Sequence, residues 1–208
     1  VVTGMGPGQG VLMFDIREAA TDIAMFLSFS TEIRREAVLY EQMFCDQDSI
    51  AIVNETFPDT LSAIRRCMFV SVITRLCAMF DPPESMKREN FSFAHLKAKY
   101  RDHFSVDLLQ DCVDIEDRVT DLGIKDFRNK LIAHHDRLAV FGDENYVHNI
   151  EQNDLPELLD SVIDLFCSLI DAMPNREQIT MSGKGSGGFS DHDNGTELLS
   201  VLRKGYDK

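Results

Sequence analysis

Apolar residues recur at steps of three and four along most of this chain. Phe14, Ala20, Ile23, Phe26, Leu27, Ile33, Ala37, Tyr40 and Phe44 predict one or two long helices over 14–45. Leu61, Ile64, Met68, Val72, Leu76 and Met79 form a second stripe over 59–80, with Asp59 or Thr60 as its N-cap after Pro58. Asp81-Pro82-Pro83 ends it, because proline cannot continue a helix and restricts the residue before it. Phe93, Leu96 and Tyr100 place a shorter amphipathic helix within 92–104. Ser105 is a candidate cap for the next stripe, Leu108, Cys112, Ile115, Val119 and Leu122. Gly123 breaks that stripe, and a new register begins at Phe127 and Leu131, reaching toward Leu138. Residues 139–152 lose the period and turn at Gly142-Asp143-Glu144-Asn145, as a loop or a short strand. A last helix over 154–173 has Asp154 near its N-cap, Pro156 in its first turn, and Leu159, Val162, Ile163, Phe166 and Ile170 facing inward.

There is no repeat and no strand-rich block. The pattern predicts an all-α fold, an up-and-down helical bundle of four to five main helices with short connections. A chain of 208 residues has room for one domain with a sizeable core. That domain is expected over 14–173. Residues 1–13, with four glycines and a proline, read as a flexible leader and lack the basic start of a signal peptide. Residues 174–208 read as a flexible, Gly-rich tail with a helical turn around Leu198–Leu202. The run Gly183–Gly188 lacks the GxxxxGK[ST] pattern and a preceding strand, so it is a linker rather than a phosphate-binding loop.

Composition narrows the function classes. Trp is absent, whereas 14 Phe and 9 Met are available to the core. The net charge of −14 argues against holding nucleic acid on a broad basic surface, though not against a local basic site. Cys45, Cys67, Cys77, Cys112 and Cys167 are odd in number, scattered and never in a CxxC pair. They read as free thiols in a reducing, cytoplasmic setting rather than as a zinc or disulfide framework. The longest apolar run, Cys67–Ile73, is far too short to span a membrane. Nothing in the sequence calls for a cofactor.

One stretch carries candidate chemistry: Phe127-Arg128-Asn129-Lys130-Leu131-Ile132-Ala133-His134-His135-Asp136. An arginine can grip a phosphate with two parallel hydrogen bonds, and an imidazole can move protons near neutral pH. With Gly123 as a stop and Asp126 as the next cap, Arg128 and Asn129 would fall in a first turn, where free backbone N–H groups favour an anion. On one straight helix Arg128 and His135 share a face, while His134 points about 120° away. Bringing Arg128 and His134 together then requires a kink or a second copy of the chain across a two-fold axis.

Plainer readings compete. Arg128 could pair with Asp126, Asp136 or an acid on a neighbouring helix. His135 could be a solvent-facing or supporting residue, and Lys130 a solvated side chain. A metal site from His134, His135, Asp136 and His148 is disfavoured because adjacent helical residues point to different faces. His95 and His103 read as exposed. Arg65-Arg66 is either a helix-surface pair or, in a dimer, the flank of an RNA groove.

The string Arg128-Asn129 followed by His134 resembles the Arg-polar-x4–6-His signature of the HEPN superfamily, and FRNKLIAHHD is similar to its abortive-infection AbiU-type branch. The stretch from Ala63-Ile64-Arg65-Arg66 to Arg75 and Phe80-Asp81 resembles the same branch. The likeness spans roughly residues 15–173. It implies a HEPN-like bundle that forms a homodimer through its motif helices. It also implies a metal-independent endoribonuclease of phage-defence or toxin type, with RNA as substrate and an antitoxin or defence protein as partner. In that picture Arg128 binds the scissile phosphate and His134 is the general acid or base. Asn129 orients a ribose or phosphate oxygen, with Lys130, His135 and Asp136 alongside as RNA-binding or orienting groups. A catalytically silent HEPN module for dimerisation or partner binding is the alternative. One toxin branch carries a tyrosine two residues after the motif histidine, the target of nucleotidyl-transferase antitoxins. Asp136 stands there in this chain, so that modification is not expected.

Overall fold

The computed structural model describes residues 16–133, 149–173 and 194–206. The expected leader over 1–13, and residues 174–193 of the expected tail, lie outside the described residues. The first stripe is one unbroken helix, α1 (Ile16–Phe44). Helix α2 (Gln47–Thr56) follows after a tight turn and is capped by Asp46, whose carboxylate accepts the Ser49 N–H at 2.9 Å. Its continuous Ile50–Val53 run is too short to display a helical period, so the pattern does not reveal it. Helix α3 (Pro58–Met79) begins at its proline with Phe57 as N-cap, and Asp59 lies in the first turn instead of at the cap. Proline lacks the N–H that a cap would satisfy and presets a helical φ, so no side-chain cap is needed.

Past Asp81-Pro82-Pro83 the chain makes an antiparallel pair of two-residue strands, β1 (Glu84–Ser85) and β2 (Arg88–Glu89). Met86 and Lys87 turn it with φ of 51° and 63°, as a two-residue hairpin with the twist of its strands requires. Helix α4 (Phe93–Lys99) is capped by Ser92 and continues into a short 3-10 turn at Arg101–His103. Helix α5 (Val106–Asp121) is capped by Ser105, the residue expected for that role. Helix α6 (Ile124–Phe127), a π-helical turn (Arg128–Ala133), α7 (Asp154–Ala172) and α8 (Gly195–Tyr206) complete the described chain. At α7 the N-cap is Asn153, left-handed at φ 71°. Asp154 sits one residue inside and accepts the Glu151 N–H. Among the described residues no helix is long and apolar enough to cross a membrane.

Helix α1 lies at the centre, packed along α7 and α3, with α5 on the far side of α7. Phe166 of α7 is fully buried, its ring 4.7 Å from Phe26 of α1 and 5.8 Å from Phe93 of α4 at 87°. Phe93 in turn meets Phe80 at 5.2 Å, just past the end of α3. Burial of each such ring is worth about 2–3 kcal/mol, and each edge or tilted pair adds about 0.5–1.5 kcal/mol. Ion pairs mark the helix phases at the core's edge: Arg34 with Asp160, Arg75 with Glu32 and Glu36, Lys97 with Glu116, and Arg118 with Asp154.

A second, smaller core holds Met43, Phe44, Val53, Leu61 and Leu199. Leu199 belongs to α8, which docks on α1 and α2. Residues 195–206 are therefore a packed twelve-residue helix and not a single turn within a tail. Leu199 lies within the helical turn expected around Leu198–Leu202, and what the pattern did not show is that a glycine seats the start of the helix against α1. Gly195 is buried, its N–H donates to Gln42 Oε1 at 3.0 Å, and a Cβ there would lie 2.8 Å from Met43 Cγ and 3.0 Å from Gln42 Cβ.

Two predictions follow from these contacts. Gly195→Ala should lower the unfolding free energy by about 1–3 kcal/mol, through overpacking. Gly205→Ala, with nothing near its site, should raise it by about 0.5–1 kcal/mol, both read by urea denaturation. The second concerns Asp22, which accepts from Lys99 Nζ and Tyr100 Oη, each at 2.7 Å, and so clamps α1 to α4. Burial alone would raise the Asp22 pKa, but these hydrogen bonds and the Lys99 charge together bring it below the ordinary aspartate value. A depressed pKa means the stabilisation is present at neutral pH and lost as pH falls through the aspartate range, below about 4. Asp22→Asn should therefore lower stability at pH 7 and show a shallower decline between about pH 5 and 3 in acid titration.

Candidate functional site

The candidate segment begins where α5 ends. Gly123 adopts φ 65°, and its N–H bonds back to the Thr120 carbonyl at 3.0 Å. The same residue's carbonyl accepts the Phe127 N–H at 3.0 Å, so one glycine both closes α5 and opens α6. Only a residue without a Cβ does this cheaply. Asp126 is consequently not a cap. It lies within α6, and the backbone N–H of Arg128 is already bonded to the Ile124 and Lys125 carbonyls. The expected phosphate seat in a first turn at Arg128 does not form, because the helix starts three residues earlier than that reading needs.

Three contacts hold α6 against α3, from its middle to its C-terminal end. Ile124 is fully buried, and the Phe127 ring meets Phe69 edge-on at 5.6 Å. Lys125 Nζ donates to the Phe80 carbonyl at 2.6 Å, a cation on the negative end of α3. Arg128 reaches the same end: its guanidinium lies 3.8 Å from the Asp81 carboxylate and keeps about a third of its side-chain surface exposed (31%). Its Nε is buried and has no hydrogen-bond partner. The stem is thus fixed by packing, and an unmade bond of this kind costs about 1–3 kcal/mol. The Cys77 thiol donates to the Ile124 carbonyl at 3.6 Å. Burial pushes its pKa up, and the neighbouring Arg128 opposes part of that shift, so it is a packed thiol and not a nucleophile.

Arg128–Ala133 is π-helical, with i→i+5 bonding in place of i→i+4. Gly123 lies before both Arg128 and His134, so that break cannot alter their relative phase. The irregularity that falls between them is the π turn. Asn129 is exposed and Lys130 half-buried. His134, His135 and Asp136, together with His148, lie outside the described residues. Among the described residues no cluster of His, Cys, Asp or Glu could hold a metal ion.

A cleft of about 590 Å³ opens beside this segment, between the end of α3, α4 and α5. Phe80, Phe93 and Val119 line it, with Lys125 and Asp126 at α6, but Arg128 does not. Cys77, Asp81 and Lys125 are the site neighbours that pattern reasoning missed. Lys125 had a signal, since it precedes Arg128 by one helical turn and shares its face. Cys77 and Asp81 had none, because a contact between α3 and α6 is a tertiary fact. Lys125→Met should lower the unfolding free energy by about 1 kcal/mol, measured by thermal or urea denaturation, through loss of the charge on the α3 carbonyls.

No curated protein and no solved structure matches the chain. The family model HEPN_AbiU2, described as AbiU2, matches residues 46–177. That span runs from the cap of α2 to just past α7 and includes every residue placed around Arg128 above. The match covers more than half of the chain and agrees with its helical fold, and the chain belongs to the AbiU2-type HEPN family.

Proposed function

We propose that this protein is a metal-independent endoribonuclease of phage-defence or toxin type, acting in the cytoplasm as a homodimer. The observation that carries the reading is the state of Arg128. Arg34, Arg75 and Arg118 are each held by hydrogen-bonded carboxylates, whereas among the described residues the Arg128 guanidinium has Asp81 at 3.8 Å as its one carboxylate, with the Cys77 thiol beside it. A rigidly placed, loosely paired guanidinium is preorganised for an anion that arrives from outside.

On this reading Arg128 binds the scissile phosphate and stabilises the extra charge of its transition state. His134 transfers the proton at the attacking 2′-hydroxyl or the departing 5′-oxygen. The 2′-oxygen forms its bond to phosphorus as the bond to the 5′-oxygen breaks, leaving a 2′,3′-cyclic phosphate and a 5′-hydroxyl. Asn129 orients a ribose or phosphate oxygen. Lys130, His135 and Asp136 flank the strand. The second protomer supplies the same residues across the two-fold axis, and a cognate antitoxin or defence protein restrains the activity.

A second reading has its own observation. Asp81 beside Arg128, in a chain of net charge −14, is the arrangement of a structural cation in a catalytically silent module.

The test incubates the full chain with single-stranded and structured RNA in EDTA, beside Arg128→Ala and His134→Ala. Each variant should lose at least about a hundredfold in rate, with cyclic phosphate ends in the wild-type product. Cleavage that survives both changes would overturn the site. Absence of cleavage by wild type on every RNA would favour the silent module.

A further inference from the structure

A second cleft, about 600 Å³, opens between the C-terminal part of α1, the N-terminal half of α3 and the approach to α7. We propose that it is a nucleotide subsite for single-stranded RNA, taking one base and its phosphate next to the cleaved bond. Its place beside the cleaved bond rests on the ribonuclease reading above; its capacity to hold a nucleotide does not.

The cleft has the three chemistries a nucleotide needs. Its volume falls in the range of small-ligand sites, about 300–1,000 Å³. Its floor is aromatic: Tyr40 and Phe69 are half-buried with ring centroids 5.4 Å apart, and the buried Phe44 backs Tyr40 at 5.7 Å. The half-buried Tyr40 ring presents a face on which any base can stack. Arg65 and Arg66 line the α3 wall, both exposed, and neither is in an ion pair among the described residues. Two neighbouring cations left unpaired in so acidic a chain are the local basic site that the overall charge of −14 still permits.

The opposite wall carries Glu41 and Glu151. The Glu41 carboxylate accepts the Asn153 N–H at 2.7 Å and has lone pairs to spare. Carboxylates accept hydrogen bonds from base N–H groups, with guanine offering two adjacent donors. An acidic peptide would satisfy the arginines but meet repulsion from these acids. A nucleotide carries both an anionic phosphate and a base with N–H donors, so it matches both walls.

One ring contact links the cleft to the segment that carries Arg128. Phe69 in its floor packs on Phe127, which directly precedes Arg128.

The test uses the full chain carrying Arg128→Ala, so that RNA binds without being cut. A short single-stranded oligonucleotide with one 6-thioguanosine is photocrosslinked and the adduct mapped by mass spectrometry. Binding is followed by fluorescence anisotropy over a salt series, with and without Arg65→Gln plus Arg66→Gln. These two side chains are exposed, so their loss leaves the fold intact. Adducts on Tyr40 or Phe69 are expected. Removing two phosphate contacts on single-stranded RNA should flatten the log–log salt slope by about 1.4. An oligouridine competitor should bind more weakly than a guanosine-containing one. Adducts only at other residues, or an unchanged salt slope, would overturn the subsite. Arg128-dependent cleavage by wild type without labelling of Tyr40 or Phe69 overturns the subsite alone. Labelling there by a wild type that cleaves nothing overturns the ribonuclease reading and keeps the subsite.

Discussion

The seating of Phe166 is the constraint on which the rest of the molecule depends. Its ring touches Phe26 on one side and Phe93 on the other, so the phase of α7 sets where α1 and α4 lie. Phe93 passes that constraint to Phe80 at the end of α3. A one-residue slip of α7 would turn the ring by about 100° and break the whole file. The flanking pairs Arg34–Asp160 and Arg118–Asp154 add little energy at partly exposed sites, but they are satisfied in one register only.

Because the end of α3 is fixed, α6 has a fixed surface to rest on. Gly123 reverses the chain in one residue, and Lys125, Ile124 and Phe127 then attach the new helix by charge, burial and ring contact. Arg128 inherits this rigidity without being consumed by it. Its Nε is enclosed and unpartnered, while the rest of the guanidinium stays near the surface beside Asp81. The π turn that begins at Arg128 departs from the straight α-helix a helical projection assumes.

The charge distribution bears on how an RNA would be met. A chain of net charge −14 repels polyanions at long range, and salt shortens that repulsion to about 10 Å. Attraction must then be local. Near the candidate surfaces the exposed Arg65 and Arg66 and the half-buried Arg128 are not absorbed into tight ion pairs, unlike Arg34, Arg75 and Arg118. Asp81 tempers the last of them. This arrangement suits recognition of a few specific phosphates over wide coverage of a duplex.

Much of the fold was legible in the chain. The stripes of α1, α3, α5 and α7 repeat at helical spacing because each buries a single face. Ser105, Pro58, Pro82 and Gly123 punctuate them by chemistry that works locally. The short helices were not legible. Helix α2 has no period within its few apolar residues, and the packing of α8 rests on tertiary contacts, the burial of Leu199 and the close approach of Gly195 to Met43. The candidate segment divided in the same way. Arg128-Asn129 and the histidines that follow were visible as residue types suited to phosphate and proton chemistry, because that suitability belongs to each side chain. Where Arg128 points, which carboxylate and thiol it meets, and that its backbone N–H is already used were decided by the docking of α6 on α3. Local sequence determines torsions, caps and which face is apolar. Contacts between segments nearly fifty residues apart, such as Cys77 with Ile124, exist only once the aromatic file has closed the bundle.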